Sequence, residues 1–277
     1  VTRISVVICS RDRAKSLGEV LRRYRELLAT DRDWDLVVVD DGSRDETPDT
    51  IALAQESFGG RLTPLRSGGV GLGAARNRGW PVASGDLVLF TDDDCYPDPD
   101  LFTQVRVCFA EAPIDFLGGR VMPYTPDDAA IATVTRAYRV EVAGRRYVSP
   151  GLLPGANLTV RRMVLEAAGG FDPDFGAGTP WPAEDVELVA RLAATGFRGA
   201  YDPRPVVFHH HGRATVDAQT RLLEAYDRGR GGYYAKCLTN PRLRWVYLRA
   251  WLRSARKRSP INTARELRAA VAYWRRR

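Results

Sequence analysis

The chain is predicted to fold as an α/β domain with a mostly parallel sheet, followed by a basic helical extension. Three observations predict this. Short β-branched apolar runs at 4–9, 36–39 and 87–90 alternate with amphipathic helical segments, the pattern of strand–helix–strand units whose strands are buried on both faces. Each run stops at a polar or acidic cluster, the end at which open α/β sheets bind ligands. After about residue 220 the composition shifts to Arg, Leu, Tyr and Trp at helical spacing. With 277 residues, 44% of them hydrophobic, the chain can bury a substantial core, which excludes disorder as its ground state.

Taken in order, the first strand ends at Ser10-Arg11-Asp12-Arg13, and a helix is predicted from Ser16 because Leu17, Val20, Leu21 and Tyr24 recur at three- and four-residue steps. The second strand ends in Asp40-Asp41-Gly42-Ser43. Thr47 is placed to cap the next helix, with Pro48 in its first turn and Gly59-Gly60 as its stop. Gly68 to Asn77 is a glycine-rich stretch entering a helix. It reads either as a flexible connection or as backbone that approaches a ligand, and it lacks the Lys-Ser/Thr of a P-loop.

The third strand delivers Asp92-Asp93-Asp94 to its carboxyl end. If strand geometry continues, Asp92 and Asp94 share one side and Asp93 points away. Paired carboxylates suit Mg²⁺ or Mn²⁺, which take oxygen ligands and share them with substrate phosphates. The bland alternative is a solvated turn, since Pro97 and Pro99 follow.

Beyond Pro99, a helix through Leu101, Val105 and Cys108 and a short strand at Phe116-Leu117 are predicted, whereas Gly118 to Pro154 shows no usable periodicity. Gly155 to Val160 reads as a return strand, and Gly169-Gly170 stops the helix after it. A helix opening at Glu184-Asp185 puts Asp185, Leu188, Val189 and Leu192 on one face, so Asp185 is predicted to face the core. Dipole compensation alone also explains acids in a first turn, and Glu187 with Arg191 reads as a surface pair. The last strand, Val206 to Phe208, ends in His209-His210-His211; His209 and His211 would project to one side as metal ligands or simply meet solvent.

The net charge of +7 is uneven, with acids concentrated early and Arg late. In the tail, Leu243, Val246, Tyr247 and Trp251, then Leu267, Val271 and Trp274, make basic amphipathic helices. Their apolar faces either pack on the domain or adsorb to an anionic membrane. The four cysteines show no CxxC spacing and are expected as free thiols. No apolar run reaches eighteen residues and no leader pattern is evident, so a cytoplasmic protein, peripheral at the inner membrane face at most, is expected.

Read together, VVICSRDR, VVVDDGSRDET, GLGAARNRG, LFTDDDCYPDP, PAEDVELVARLAATGF and VVFHHHG resemble the family 2 glycosyltransferases of GT-A fold, over roughly residues 4 to 212. The resemblance implies a single Rossmann-like GT-A domain. Its nucleotide-sugar half is expected at 1–115, its acceptor and catalytic half at 116–212, and an Arg-rich helical extension at 213–277. It implies a nucleotide-diphosphate sugar as donor, an acceptor hydroxyl, Mn²⁺ or Mg²⁺, and inversion by one displacement, with no nucleic-acid partner. By that resemblance Asp41 contacts the nucleobase, Ser10, Arg11 and Arg76 lie beside the nucleotide, Asp92-Asp93-Asp94 is the DxD motif with Asp92 near ribose and metal, and Asp93 belongs to the donor-binding set. Asp94 ligates the ion with His209, or with His211 in its place, and Asp185 is the catalytic base. Two features depart from or limit the pattern: Cys9-Ser10-Arg11-Asp12 replaces the frequent Pro-Thr/Ala-Tyr-Asn, and the QxxRW motif of processive synthases is absent. A sugar-1-phosphate nucleotidyltransferase and a non-catalytic nucleotide-sugar-binding module are the competing readings; the missing N-terminal triphosphate loop counts against the former.

Overall fold

Ile4–Ser10 forms the first strand, β1, of the computed structural model, which describes residues 2–125, 132–144, 146–210, 212 and 215–277. All seven residues of β1 are buried. Side chains alternate across a strand, so Ile4, Val6 and Ile8 enter one core while Val7 and Cys9 enter another. Burial on both faces is why the run is mostly apolar.

Helix α1 (Ala14–Glu26), strand β2 (Trp34–Asp40), helix α2 (Thr47–Ser57), strand β3 (Leu62–Arg66), helix α3 (Leu72–Gly79) and strand β4 (Leu87–Asp92) follow. β1 lies between β2 and β4 and is parallel to both, and β3 extends the edge beyond β2. The register sets Ser10 beside Asp40 and Cys9 beside Asp92, so the polar strand ends gather at one rim.

The second half adds β5 (Cys95–Pro97), α4 (Leu101–Glu111), β6 (Phe116–Pro123), β7 (Val140–Val142), β8 (Leu158–Arg161), α5 (Arg162–Ala168), α6 (Glu184–Thr195) and β9 (Gly199–His209). The sheet runs β3-β2-β1-β4-β8-β6-β9-β5, with β7 also paired to β9. β8 is antiparallel to both β4 and β6. α1, α2 and α4 cover one face, with Leu17, Ile51 and Leu101 in its core; α3, α5 and α6 cover the other, with Ala75, Val164 and Leu188.

Several local expectations change, among them that for Thr47, which is the first residue of α2 and not its cap. β9 spans eleven residues, not the three of Val206 to Phe208, because β6 and β7 supply hydrogen-bonding partners for its polar first half. Gly155–Asn157 is a short 3₁₀ turn, and the return strand begins only at Leu158. Glu187 is buried, not a surface residue: it pairs with Arg191 at 2.9 Å and with Lys236 at 2.6 Å.

Lys236 belongs to the tail, which folds as α7 (Val216–Thr239), α8 (Arg244–Ala255) and α9 (Pro260–Arg276). These helices pack on the domain through a third core, where Tyr233, Tyr234, Trp251 and Tyr273 meet Phe175 and Trp181. Tyr234 stacks on Trp251 with centroids 5.3 Å apart. Glu266 is fully buried in this core, and Arg230 Nε at 2.9 Å and Trp251 Nε1 at 2.8 Å satisfy it. Gly229 sits in mid-helix, where glycine normally weakens a helix. A Cβ there would lie 2.1 Å from the Pro182 carbonyl oxygen, so only glycine lets α7 lie this close to the segment before α6. Among the described residues no helix is long and apolar enough to cross a membrane, and all four cysteines are free and buried.

Candidate active site

The carboxyl ends of β1, β2 and β4 open into a cleft of about 550 Å³. Ser10, Arg11, Asp41 and Arg76 line it, as do Asp92, Asp93, Asp94, Asp185 and His209. His211 lies outside the described residues.

Within the acidic triplet the strand geometry does not continue. β4 stops at Asp92, and the chain turns through Asp93 and Asp94 before β5. The alternation that would have set Asp93 apart therefore gives way to a different division. Asp92 accepts a hydrogen bond from Arg76 Nη2 at 2.9 Å. Asp93 accepts one from Ser10 Oγ at 2.6 Å and pairs with Arg13 Nε at 2.8 Å, while Asp94 accepts from Arg13 Nη2 at 2.6 Å. Burial pushes the Asp93 carboxyl up to about 7, against the opposing pull of Arg13.

The antiparallel pairing of β5 with β9 puts Cys95 opposite His209. This brings His209 Nε2 to 3.2 Å from Asp94 Oδ1. The next residue turns elsewhere: His210 Nδ1 lies 3.2 Å from the Tyr96 hydroxyl. Ligand atoms of Asp94, Cys95 and His209 all lie within 4.8 Å of one another, and the three residues are buried. A carboxylate and an imidazole fit a hard or borderline divalent ion that takes its remaining ligands from phosphate and water. Cys95 stands apart from that set by its chemistry, since a thiolate is a soft ligand and Mg²⁺ and Mn²⁺ take oxygen.

Arg76, 1% exposed, organises the opposite wall. It donates through Nη1 to Glu184 Oε1 at 2.9 Å and through Nη2 to Asp92 and to the Gly155 carbonyl at 3.1 Å. Burial pushes Glu184 up to about 7, with Arg76 pulling the other way. Of the neighbouring pair at the start of α6, Glu184 and not Asp185 is the buried acid. Asp185 is half-buried and borders the cleft. Its Oδ2 accepts the Gly155 N–H at 2.7 Å and its Oδ1 accepts the Val186 N–H at 2.7 Å. A carboxylate offers about four lone-pair directions, so one acceptor position on each oxygen remains.

Asp41 fastens the glycine-rich segment, accepting from Ser67 Oγ at 2.6 Å and from the N–H groups of Val70 and Gly71 at 2.9 Å each. At Gly73 a Cβ would meet the Phe175 carbonyl at 2.4 Å, so this glycine serves close packing against the protein's own backbone. Arg11 is 46% exposed in its side chain, at the mouth of the cleft.

Other lining residues were not singled out from sequence. Arg13 and Glu184 sit beside chosen residues, and nothing in the pattern distinguished them. Leu222, Tyr226 and Arg228 of α7 also line the cleft; the readable sign was glycine in the middle of a helix, which marks close approach.

Fold and cleft define an α/β protein of the GT-A class. The structure superposes on the mannosyltransferase PcManGT of Pyrobaculum calidifontis, solved with GDP-Man and Mn²⁺, at a TM-score of 0.70 and 20% identity over 98% of this chain and 74% of that one. It also superposes on Staphylococcus aureus TarS 1–349, solved with UDP-GlcNAc, at a TM-score of 0.65 and 17% identity over 88% and 69% of the two chains. The sequence model of glycosyl transferase family 2 matches residues 5–168, and the chain belongs to that family. The pre-mycofactocin glycosyltransferase of Mycobacterium tuberculosis is 25% identical over 218 residues, 75% of this chain and 43% of its own length. The chain spans about half the length of the curated relatives it matches.

Proposed function

We propose that the chain is a metal-dependent inverting glycosyltransferase that moves a sugar from a nucleotide-diphosphate sugar to an acceptor hydroxyl. The observation that carries the reading is the convergence of the Asp94–His209 pair and the Asp185 carboxylate on one cleft. Family membership supports it, as do the nucleotide sugars held by the two structural neighbours.

In this reading Asp94 and His209 hold the divalent ion, which when bound offsets the negative charge left on the departing diphosphate. Asp185 accepts the proton as the acceptor O–H bond breaks. The acceptor oxygen then bonds to the anomeric carbon from the face opposite the leaving group, and the bonding electrons depart with the nucleoside diphosphate. Ser10, Arg11 and Asp41 form the nucleotide side. Ser10 acts by fixing Asp93, and Asp41 by shaping the glycine segment against which the base lies. Arg76 keeps Asp92 and the start of α6 in register.

The test is a thermal-shift panel of UDP, GDP and dTDP with and without Mn²⁺. One nucleotide is expected to raise the melting temperature by several degrees, and more with Mn²⁺, as binding to the folded state requires. No shift with any of them would remove the reading; binding without hydrolysis or transfer of the matching nucleotide sugar would leave a binding module in its place.

A second proposal concerns the tail. On α9, Ile261, Leu267 and Val271 are 66%, 50% and 42% exposed and alternate with Arg268, Arg275 and Arg276, while Trp245 on α8 is 65% exposed. Apolar side chains among arginines support contact with an anionic bilayer. The protein is expected to co-sediment with phosphatidylserine vesicles at low salt and to detach as salt is raised; failure to sediment at low salt would rule the contact out.

A further inference from the structure

Arg13 occupies the point where the cleft's anionic groups need a counter-charge. Its Nε lies 2.8 Å from Asp93 Oδ1, and its Nη2 lies 2.6 Å from Asp94 Oδ2 and 3.3 Å from Ser16 Oγ. The Ser16 hydroxyl donates to the Asp93 carbonyl at 2.8 Å, which ties the start of α1 to the turn. Asp94 turns its other oxygen toward His209. The carboxylate expected to take the cation is therefore already shared with a guanidinium, and a guanidinium cannot withdraw by losing its proton.

We propose that Arg13 makes cation binding at Asp94 conditional on the nucleoside diphosphate. Without nucleotide the guanidinium neutralises Asp93 and Asp94 and repels a second cation across a few ångströms of partly desolvated cleft. The diphosphate brings enough negative charge to hold both cations at once. Metal and nucleotide then bind with positive coupling, which by linkage has the same size whichever binds first. The inference rests on the metal assignment made above. Its consequence is a difference in occupancy: the ion is held mainly together with the donor, and the empty cleft holds little free metal.

The experiment titrates Mn²⁺ into the full chain and follows the free-ion paramagnetic resonance signal, with and without UDP or GDP, correcting for metal held by free nucleotide. For the wild type, saturating nucleotide is expected to tighten Mn²⁺ binding by about tenfold or more. Arg13→Gln is expected to bind Mn²⁺ alone about tenfold more tightly than the wild type and to lose most of the coupling. Arg13→Lys, which keeps the charge, is expected to stay close to the wild type. A folded Arg13→Gln protein whose affinity for Mn²⁺ alone is unchanged or weaker overturns the inference, as does Arg13→Lys matching Arg13→Gln. If the wild type binds no Mn²⁺ even with nucleotide, or Asp94→Ala binds it undiminished, the metal assignment itself fails.

Discussion

Asp94→Ala is expected to lower the rate of sugar transfer by about 10²-fold to 10³-fold, the scale on which fixed electrostatic stabilisers of a developing charge act. Asp94 is the acid that Arg13 and His209 both approach, at 2.6 and 3.2 Å, and neither neighbour replaces a carboxylate as a ligand for a hard cation. The loss should appear in kcat and be accompanied by disappearance of the Mn²⁺-dependent part of the nucleotide-induced thermal shift. It should not appear as unfolding, because Asp94 sits in a turn and Arg13 keeps Asp93 as its partner when Asp94 is removed. Transfer within tenfold of the wild type, measured as nucleoside diphosphate release at saturating donor and acceptor, would remove Asp94 from the reaction.

Asp185→Asn should separate binding from chemistry. General bases contribute about 10²-fold to 10⁴-fold, so kcat should fall on that scale while donor affinity, held by the other wall of the cleft, changes little. The amide oxygen can still accept one of the two backbone N–H bonds, from Gly155 or from Val186, so the first turn of α6 keeps part of its anchorage. A melting curve reports that cost independently. Unimpaired transfer by Asp185→Asn would place the base elsewhere, and Glu184 is poorly suited, being buried against Arg76.

The parallel core was legible because its signal is local. β1, β2 and β4 are buried on both faces and so carry runs of mostly apolar residues, and the inward residues of α1 follow the helical period. The site was legible as a set of residue types at strand ends. Its wiring was not. Which carboxylate pairs with which arginine depends on where β4 stops and the chain turns, and a one-residue change in phase at α6 exchanges the surroundings of Glu184 and Asp185. β9 was read short because Pro203 and Pro205 argue against a strand. Both fall where the register with β6 is irregular, between the Gly118–Tyr201 and Arg120–Val206 pairs. Glu187 and Arg191 read as exposed because the element that covers them, α7, lies some thirty residues further along the chain.

The seating of α7 against Pro182 has a bearing on how this family member could diversify. Two residues separate that proline from Asp185, and the same helix lends Tyr226 and Arg228 to the cleft. On the proposed function, substitutions along α7 would reshape the cleft beside Tyr226 and Arg228 without touching Asp94, His209 or Asp185. Any load on α8 and α9 likewise reaches the segment before α6 through α7 and through Tyr273 against Trp181.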